Sequence, residues 1–165
     1  MPQRKRNRLM NYDYSRNNAY FITVCAKDRL CIFGTVGAAI CRQNNVVLSE
    51  LGGFVDDAIQ KIHVVYSSVL VESYVIMPNH IHLIVSIGRN ADVVGAAICR
   101  QSPTVSLIVG NMKRAVSIRV GFCPWQKSFH DHVIRDRVDY NRIADYVANN
   151  PATWANDCFY TEEMS

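Results

Sequence analysis

Two histidines lie two residues apart in an otherwise apolar segment of this chain, which reads YVIMPNHIHLIV over residues 74–85. Because a β-strand has a side-chain period of two, His80 and His82 are expected on one face of a sheet and Ile81 on the other. Two imidazoles held side by side on a strand can begin a divalent-metal site. A bare pair of this kind is nevertheless more often two ordinary strand histidines at the edge of a core.

A helix near the end of the chain offers a third ligand and a nucleophile. Tyr146 and Asn150 are four residues apart, so they share one face of a helix. A carboxamide oxygen from Asn150 could complete a hard-metal site with His80 and His82, and Tyr146 could attack a phosphorus atom whose developing charge the metal stabilises. The alternative is that Tyr146 is an ordinary core residue and that the NNP sequence at 149–151 only terminates the helix.

Hydrophobic periodicity and turn residues predict the elements that must position these side chains. They indicate an α+β protein with helices packed on a largely antiparallel sheet. The expected elements are a strand at 19–26, a helix at 49–64 capped by Ser49, strands at 69–77 and 80–87 joined through Pro78-Asn79, a helix at 105–120, a strand at 127–134 and a helix at 139–149 ended by Pro151.

Length, hydropathy and cysteine spacing exclude several classes of protein. The 165 residues suit a single domain, and no apolar run reaches the ~20 residues that span a bilayer. The N-terminus has no apolar segment of the secretory type, so we expect a cytoplasmic protein without membrane contact. The six cysteines contain no CxxC pair, which argues against a zinc knuckle and against a disulfide framework.

Positive charge is concentrated at the N-terminal end of the chain. Arg4, Lys5, Arg6 and Arg8 form a basic arm, whereas residues 151–165 hold three acids and no base. Such an arm suggests a polyanionic partner whose phosphates it would clamp, and an ordinary solvated tail is about equally compatible with the charge pattern. Lys113 and Arg114, on the predicted helix at 105–120, could extend this surface.

An eight-residue segment, VGAAICRQ, occurs twice, at residues 36–43 and 94–101. The two copies have different surroundings and no further copies follow, so they do not indicate a repeat architecture. Both fall between predicted elements, where insertions are tolerated. We interpret them as a short DNA element that entered the gene twice and is read through as loop; a functional loop motif is the alternative.

Several spaced blocks of the sequence resemble the REP-associated tyrosine transposases, a branch of the single-tyrosine HUH transposases related to small bacterial insertion-sequence enzymes. The block MPNHIHLIV at 77–85 is similar to the His-hydrophobic-His motif of that superfamily. The other blocks, in the same order, are NYDYSRNNAYFITVCAKDRLCIFG at 11–34, LSELGGFV at 48–55, PWQKSFHDHVIRD at 124–136 and DYVANNPATW at 145–154. The resemblance therefore extends over most of the chain.

The resemblance implies a ferredoxin-like fold and a metal-dependent transposase or endonuclease that acts on single-stranded DNA. It implies that His80, His82 and Asn150 bind a divalent metal ion, Mg²⁺ or Mn²⁺. Tyr146 would attack the scissile phosphate beside a repetitive palindromic hairpin, forming a 5′-phosphotyrosine link and releasing a 3′-hydroxyl. We expect a basic arm at 1–18, the transposase domain at 19–155 and a tail at 156–165, in a monomer or a homodimer.

Two other functions remain as alternatives. The first is a DNA-hairpin-binding protein whose nuclease activity has been lost or repurposed; a binding module of that kind has no need of the His80, His82, Asn150 and Tyr146 set. The second is a zinc hydrolase, which ranks lower because the sequence shows no general-base carboxylate near the histidine pair. A second histidine pair, at 130 and 132, matches no metal position of the family and is assigned a structural or DNA-facing role.

Overall fold

The computed structural model describes residues 18–37, 46–88 and 103–161. Within them, short strands and helices alternate as the hydrophobic pattern predicts. The strands are β1 (Asn18–Cys25), β2 (Gly34–Val36), β3 (Val46–Leu48), β4 (Val69–Ile76), β5 (His80–Ile87) and β6 (His130–Ile134). The helices are α1 (Glu50–Gln60), α2 (Ile62–Val65), α3 (Val105–Val120) and α4 (Arg137–Asn149), and short 3-10 segments lie at Lys27–Arg29 and Pro151–Asn156.

Four of the strands form one antiparallel sheet in the order β4-β5-β1-β6. Helices α1 and α2 connect β1 to β4, and α3 connects β5 to β6, so the chain follows a βαββαβ path. With the four strands counted in chain order, the spatial order is 2-3-1-4, which is the ferredoxin-like arrangement. The expected fold class is therefore confirmed.

The two faces of the sheet pack against different helices. On one face, residues of β1 and β5 such as Ile22 and Leu83 join α1 and α3 in the larger core. On the other face, Ile84 packs against Ile143 and Val147 of α4 in a smaller cluster. This division follows from the side-chain alternation of β5, and it places α4 on the face that carries the two histidines.

Most predicted elements are confirmed, with shifts at their ends. The helix predicted at 139–149 begins two residues earlier, because the Asp136 side chain accepts a hydrogen bond from the Asp139 N–H and caps it. The strand predicted at 127–134 begins only at His130. Before His130, the Lys113 ammonium donates to the carbonyls of Gln126 and Ser128, at 2.7 and 3.3 Å. The short β2–β3 pair has no sequence period and was not predicted.

The first turn of α1 packs closely on the segment before it. Ser49 caps the helix by accepting from the Gly52 N–H at 3.0 Å, and its own hydroxyl donates to the Ile32 carbonyl at 2.7 Å. A Cβ added to Gly52 would lie 1.9 Å from the carbonyl oxygen of Phe33, whereas a Cβ added to Gly53 would meet no atom within 4 Å. Glycine lowers helix propensity at both positions, but the close approach of Phe33 requires it at Gly52 and not at Gly53.

Alanine substitutions should separate these two glycines. Gly52→Ala should lower the free energy of unfolding by about 3 kcal/mol, because the collision is with backbone that cannot rotate away. Gly53→Ala should raise it by up to about 1 kcal/mol, since alanine is the better helix former. Urea denaturation of both variants tests this, and equal effects would contradict the packing of α1 on Phe33.

The first copy of the duplicated octapeptide is not loop throughout. Its first residue, Val36, ends β2 and pairs with Val46, so that copy begins inside a strand. The rest of the first copy beyond residue 37 and the whole second copy lie outside the described residues, as does the basic arm. Among the helices that are described, none has the length and apolar character needed to cross a membrane.

Candidate active site

The histidine pair projects from the start of β5 toward the face covered by α4. His80 and His82 are 0% and 1% exposed, and their Nε2 atoms lie 3.0 Å apart. On β1, Thr23 is the direct cross-strand partner of His82, and its hydroxyl lies 2.9 Å from His82 Nδ1. The expectation that both histidines share a face opposite Ile81 is confirmed.

The carboxamide of Asn79 fixes the tautomer of His80. Its amide nitrogen donates to the carbonyl of Phe159 at 2.8 Å and to that of Arg29 at 3.3 Å. Its oxygen must therefore face His80 Nδ1, at 2.9 Å. Because this oxygen only accepts, Nδ1 of His80 carries the proton and Nε2 presents a lone pair.

The tautomer of His82 decides what can lie between the two rings. If Nε2 of His82 is protonated, it donates to Nε2 of His80. If Nδ1 of His82 is protonated instead, it donates to the Thr23 hydroxyl. The Nε2 lone pairs of the two histidines then face each other across 3.0 Å. The second arrangement is favourable only with a cation between the rings. A threonine hydroxyl both donates and accepts, so Thr23 is compatible with both states.

Helix α4 and the segment after it bring the remaining polar groups to the histidines. The Tyr146 hydroxyl lies 3.3 Å from His82 Nε2 and donates to the Asp157 carboxylate at 2.9 Å. The side-chain amide of Asn150 donates to the same carboxylate at 2.6 Å. The structure thus brings together all four residues that the sequence analysis selected for the chemistry.

Asp157 is a functional candidate that the sequence analysis missed. It lies in the segment assigned to the tail, 11 residues after Tyr146, and it also accepts from the Phe159 N–H at 2.7 Å. His80, His82 and Asp157 form a group that can hold a metal ion, since one ligand atom of each lies within 4.8 Å of the others. In the sequence it is only one acid among the tail residues. The turn that brings it back to the histidines has no hydrophobic periodicity by which it could be predicted.

Asn150 has a buried oxygen without a partner. The residue is 0% exposed, and its Oδ1 accepts no hydrogen bond. An ionised carboxylate can only accept, so the amide nitrogen must face Asp157 and Oδ1 must face away from it. A buried carbonyl oxygen left unsatisfied is costly, and a bound cation would satisfy it. The two imidazole nitrogens and the Asp157 carboxylate suit a divalent metal, and a carboxamide oxygen is chemically able to join such a donor set.

Burial and neighbouring charges shift the pKa values in this cluster. The pKa of Tyr146 is raised, mainly by burial and then by the hydrogen bond to Asp157 and the charge of that carboxylate. Burial lowers the pKa of His80 to about 4 and that of His82 to about 3, and the neighbouring His80 adds to the second shift. Both imidazoles are thus neutral at pH 7, which is the form that binds metal.

Without metal, stability should decline as the pH falls below about 6.5. Below that value the unfolded chain takes up protons on His80 and His82 that the folded chain does not. The free energy of unfolding should therefore decrease between pH 7.5 and pH 5, by about 2 kcal/mol for each imidazole, and be independent of these groups above pH 7. Urea titrations in EDTA at several pH values measure this free energy. A free energy of unfolding that does not change between pH 7.5 and pH 5 would contradict the burial of the two histidines in their neutral form.

The other predicted contact residues are less directly connected to this cluster. Lys113 uses its ammonium to hold the carbonyls of Gln126 and Ser128, and burial lowers its pKa. Arg114 is exposed, and Arg4, Lys5, Arg6 and Arg8 lie outside the described residues. In the second histidine pair, His132 is exposed and contacts the Asp139 carboxylate at 2.7 Å.

Comparison with known proteins identifies a relative of this chain. No protein-family model matches it. An uncharacterized protein of Haemophilus influenzae is 30% identical over an alignment of 174 positions, and this alignment covers 96% of this chain and 94% of the relative. The chain belongs to the family of this protein.

A solved structure of a REP-associated tyrosine transposase bound to a REP hairpin is similar to the chain, with a TM-score of 0.63. The likeness covers 89% of this chain and 74% of that one, at 19% sequence identity. It shows that the two share a fold, so the expected likeness to REP-associated tyrosine transposases is confirmed at the level of the fold.

Proposed function

We propose that this protein is a metal-dependent transposase or endonuclease that cleaves and rejoins single-stranded DNA beside repetitive hairpin elements, through a 5′-phosphotyrosine intermediate. The observation that carries the proposal is the position of Tyr146, whose hydroxyl lies 3.3 Å from His82 Nε2 and shares the Asp157 carboxylate with the Asn150 amide. The shared fold with a transposase supports the same class of function.

The metal would be held by Nε2 of His80 and His82 and by Oδ1 of Asn150, with Asp157 as a further ligand. When bound, a divalent ion such as Mg²⁺ or Mn²⁺ would polarise the scissile phosphate and neutralise the charge that develops on it. The chain holds these donors firmly: Asn79 and Thr23 orient the two imidazoles, and Asp157 orients the carboxamide.

Tyr146 would then act as the nucleophile. Its hydroxyl oxygen forms a bond to phosphorus while the bond from phosphorus to the 3′-oxygen breaks, which leaves a 5′-phosphotyrosine and a free 3′-hydroxyl. The raised pKa of Tyr146 means that the phenol is protonated before attack. Asp157 already accepts its hydrogen bond at 2.9 Å, so the carboxylate lies where the proton must leave.

Binding of the DNA strand would draw on basic side chains outside this cluster. Arg4, Lys5, Arg6 and Arg8 are proposed to clamp hairpin phosphates, since an arm of this kind gives sequence-independent, salt-sensitive affinity. Exposed Arg114 is proposed to extend the surface. Lys113, whose ammonium is engaged by two carbonyls, would contribute its charge more than direct contacts.

The position of Asp157 changes one argument against a zinc hydrolase. That function ranked low because the sequence showed no carboxylate near the histidines, and the structure places one there. The two functions differ in their product, because hydrolysis leaves no protein bound to DNA.

The decisive experiment incubates the full chain with labelled single-stranded DNA from the flank of its own gene, with Mg²⁺, Mn²⁺ or EDTA. A covalent protein–DNA adduct that survives denaturation and needs metal is the expected result. Cleavage without an adduct would favour a hydrolase. Tight binding with neither product would favour a DNA-hairpin-binding protein.

A further inference from the structure

Arg29 lies beside the histidine pair and has no role in the chemistry described above. Its guanidinium carbon is 5.4 Å from the centre of the Phe159 ring, and that ring is 4.6 Å from the ring of His80. The Arg29 carbonyl accepts from the same Asn79 carboxamide that orients His80. The position of the arginine is thus tied to the site by two separate contacts.

The backbone at this point has a conformation that arginine does not favour. Asp28 and Arg29 have φ values of 55° and 56°, in the left-handed region. Aspartate tolerates this region better than most residues, and glycine adopts it without steric cost. An arginine there is unusual, and residues held in such conformations concentrate at functional sites.

The guanidinium is available to a ligand. Arg29 is exposed, and no carboxylate in the described part of the chain forms an ion pair with it. Its contact with Phe159 is with the face of an aromatic ring and not with a carboxylate, so the positive charge of the guanidinium is not neutralised there. The other side of the turn borders an open groove of about 590 Å³, whose lining includes Lys27, Lys127 and Trp125.

We infer that Arg29 binds a backbone phosphate of the single-stranded DNA at the histidine pair, and that the strand continues past it toward this groove. Arginine binds a phosphate through two parallel N–H bonds. Its contact with the Phe159 ring holds the guanidinium near the histidine pair. The inference rests on the proposed function for the identity of the strand, but it adds a binding residue that acts before any chemistry.

Substitution by glycine tests Arg29 without disturbing the fold. Arg29→Gly relieves the left-handed backbone, so its Tm should equal or exceed that of the parent by a few degrees. Its dissociation constant for the oligonucleotide should nevertheless rise about tenfold. The slope of log Kd against log salt should also fall by about 0.7, as expected for one phosphate contact to a single strand. Fluorescence anisotropy with a labelled flank oligonucleotide in Mn²⁺, in a Tyr146→Phe background, gives both values.

Asp28→Gly is the matched control, because it relieves the same strain and keeps the arginine. It should bind no more weakly than the parent, whereas Arg29→Lys should lie between the parent and Arg29→Gly. Parent-like affinity and salt slope in Arg29→Gly would overturn the inference, as would a parent that binds no DNA. Weakened binding by Arg29→Gly, together with no adduct from the native chain, would refute the proposed chemistry and leave the inference standing.

Discussion

Replacing Tyr146 with phenylalanine is expected to abolish the covalent protein–DNA adduct and to lower cleavage by at least about a thousandfold. The substitution removes one oxygen atom, and that atom is the nucleophile of the proposed reaction. Its contacts are with His82 Nε2 and Asp157, so no other hydroxyl in the described cluster can replace it at the same position.

The fold should hardly be affected by this change. Tyr146 is 39% exposed, and its ring packs edge-on to Phe21 at 6.1 Å, a contact that phenylalanine keeps. The lost hydrogen bonds should change the free energy of unfolding by about 1 kcal/mol at most. Binding of the oligonucleotide should also persist, because the affinity for the strand is assigned to basic side chains and not to the phenol.

Tyr140→Phe is the matched control for Tyr146→Phe. It removes a tyrosine hydroxyl from the same helix, but one that bonds to Glu72 rather than to the histidine cluster. The control should form adduct at the wild-type rate. Denaturing gel electrophoresis of radiolabelled oligonucleotide measures both variants, and an adduct that survives in Tyr146→Phe would refute the assignment of the nucleophile.

The sequence predicted the parts of this site that local pattern controls. A strand has a period of two, and for that reason the common face of His80 and His82 could be stated in advance. A helix places residues four apart on one face, and this aligned Tyr146 with Asn150. The cap at Ser49 likewise depends on a side chain three residues from the amide it binds.

The parts that were missed depend on contacts between distant segments. Asp157 returns to the histidines because Trp154 and Phe159 pack on His80, at 5.8 and 4.6 Å between ring centres. The sequence indicates Asn79 only as a turn residue, whereas its role in orienting His80 follows from acceptors at Arg29 and Phe159. Both arrangements join segments that are far apart in the sequence, so no local sequence pattern could predict them.

Removing the proposed metal ligand His82 should weaken Mn²⁺ binding more than removing a nearby side chain that does not contact the metal. His82→Asn is the sharpest substitution, because the shorter amide retains a donor for Thr23 but has no atom in place of Nε2. We expect the affinity for Mn²⁺ to fall at least about 100-fold, since one of two converging imidazole ligands is lost. Isothermal titration calorimetry at pH 7.5 measures this without reference to catalysis.

Two further variants show whether the effect is specific. Thr23→Val removes the hydroxyl that orients His82 and should lower the affinity about tenfold, because partners of ligating histidines tune the site without contacting the metal. His132→Asn changes the second histidine pair, which is exposed and bound to Asp139, and should leave Mn²⁺ binding unchanged.

Thermal unfolding gives an independent measurement of the same equilibrium. A ligand that binds only the folded state raises the free energy of unfolding, by about 2.7 kcal/mol at 100 times its Kd, and therefore raises Tm. At 100 times the wild-type Kd, Mn²⁺ should therefore raise the Tm of the wild type and of His132→Asn, and should raise that of His82→Asn far less. Asn150 supplies a physical reason to expect a rise, because a cation bound at its buried, unsatisfied oxygen would give that oxygen a partner. An equal rise in the wild type and His82→Asn would place the metal elsewhere and remove the basis of the proposed mechanism.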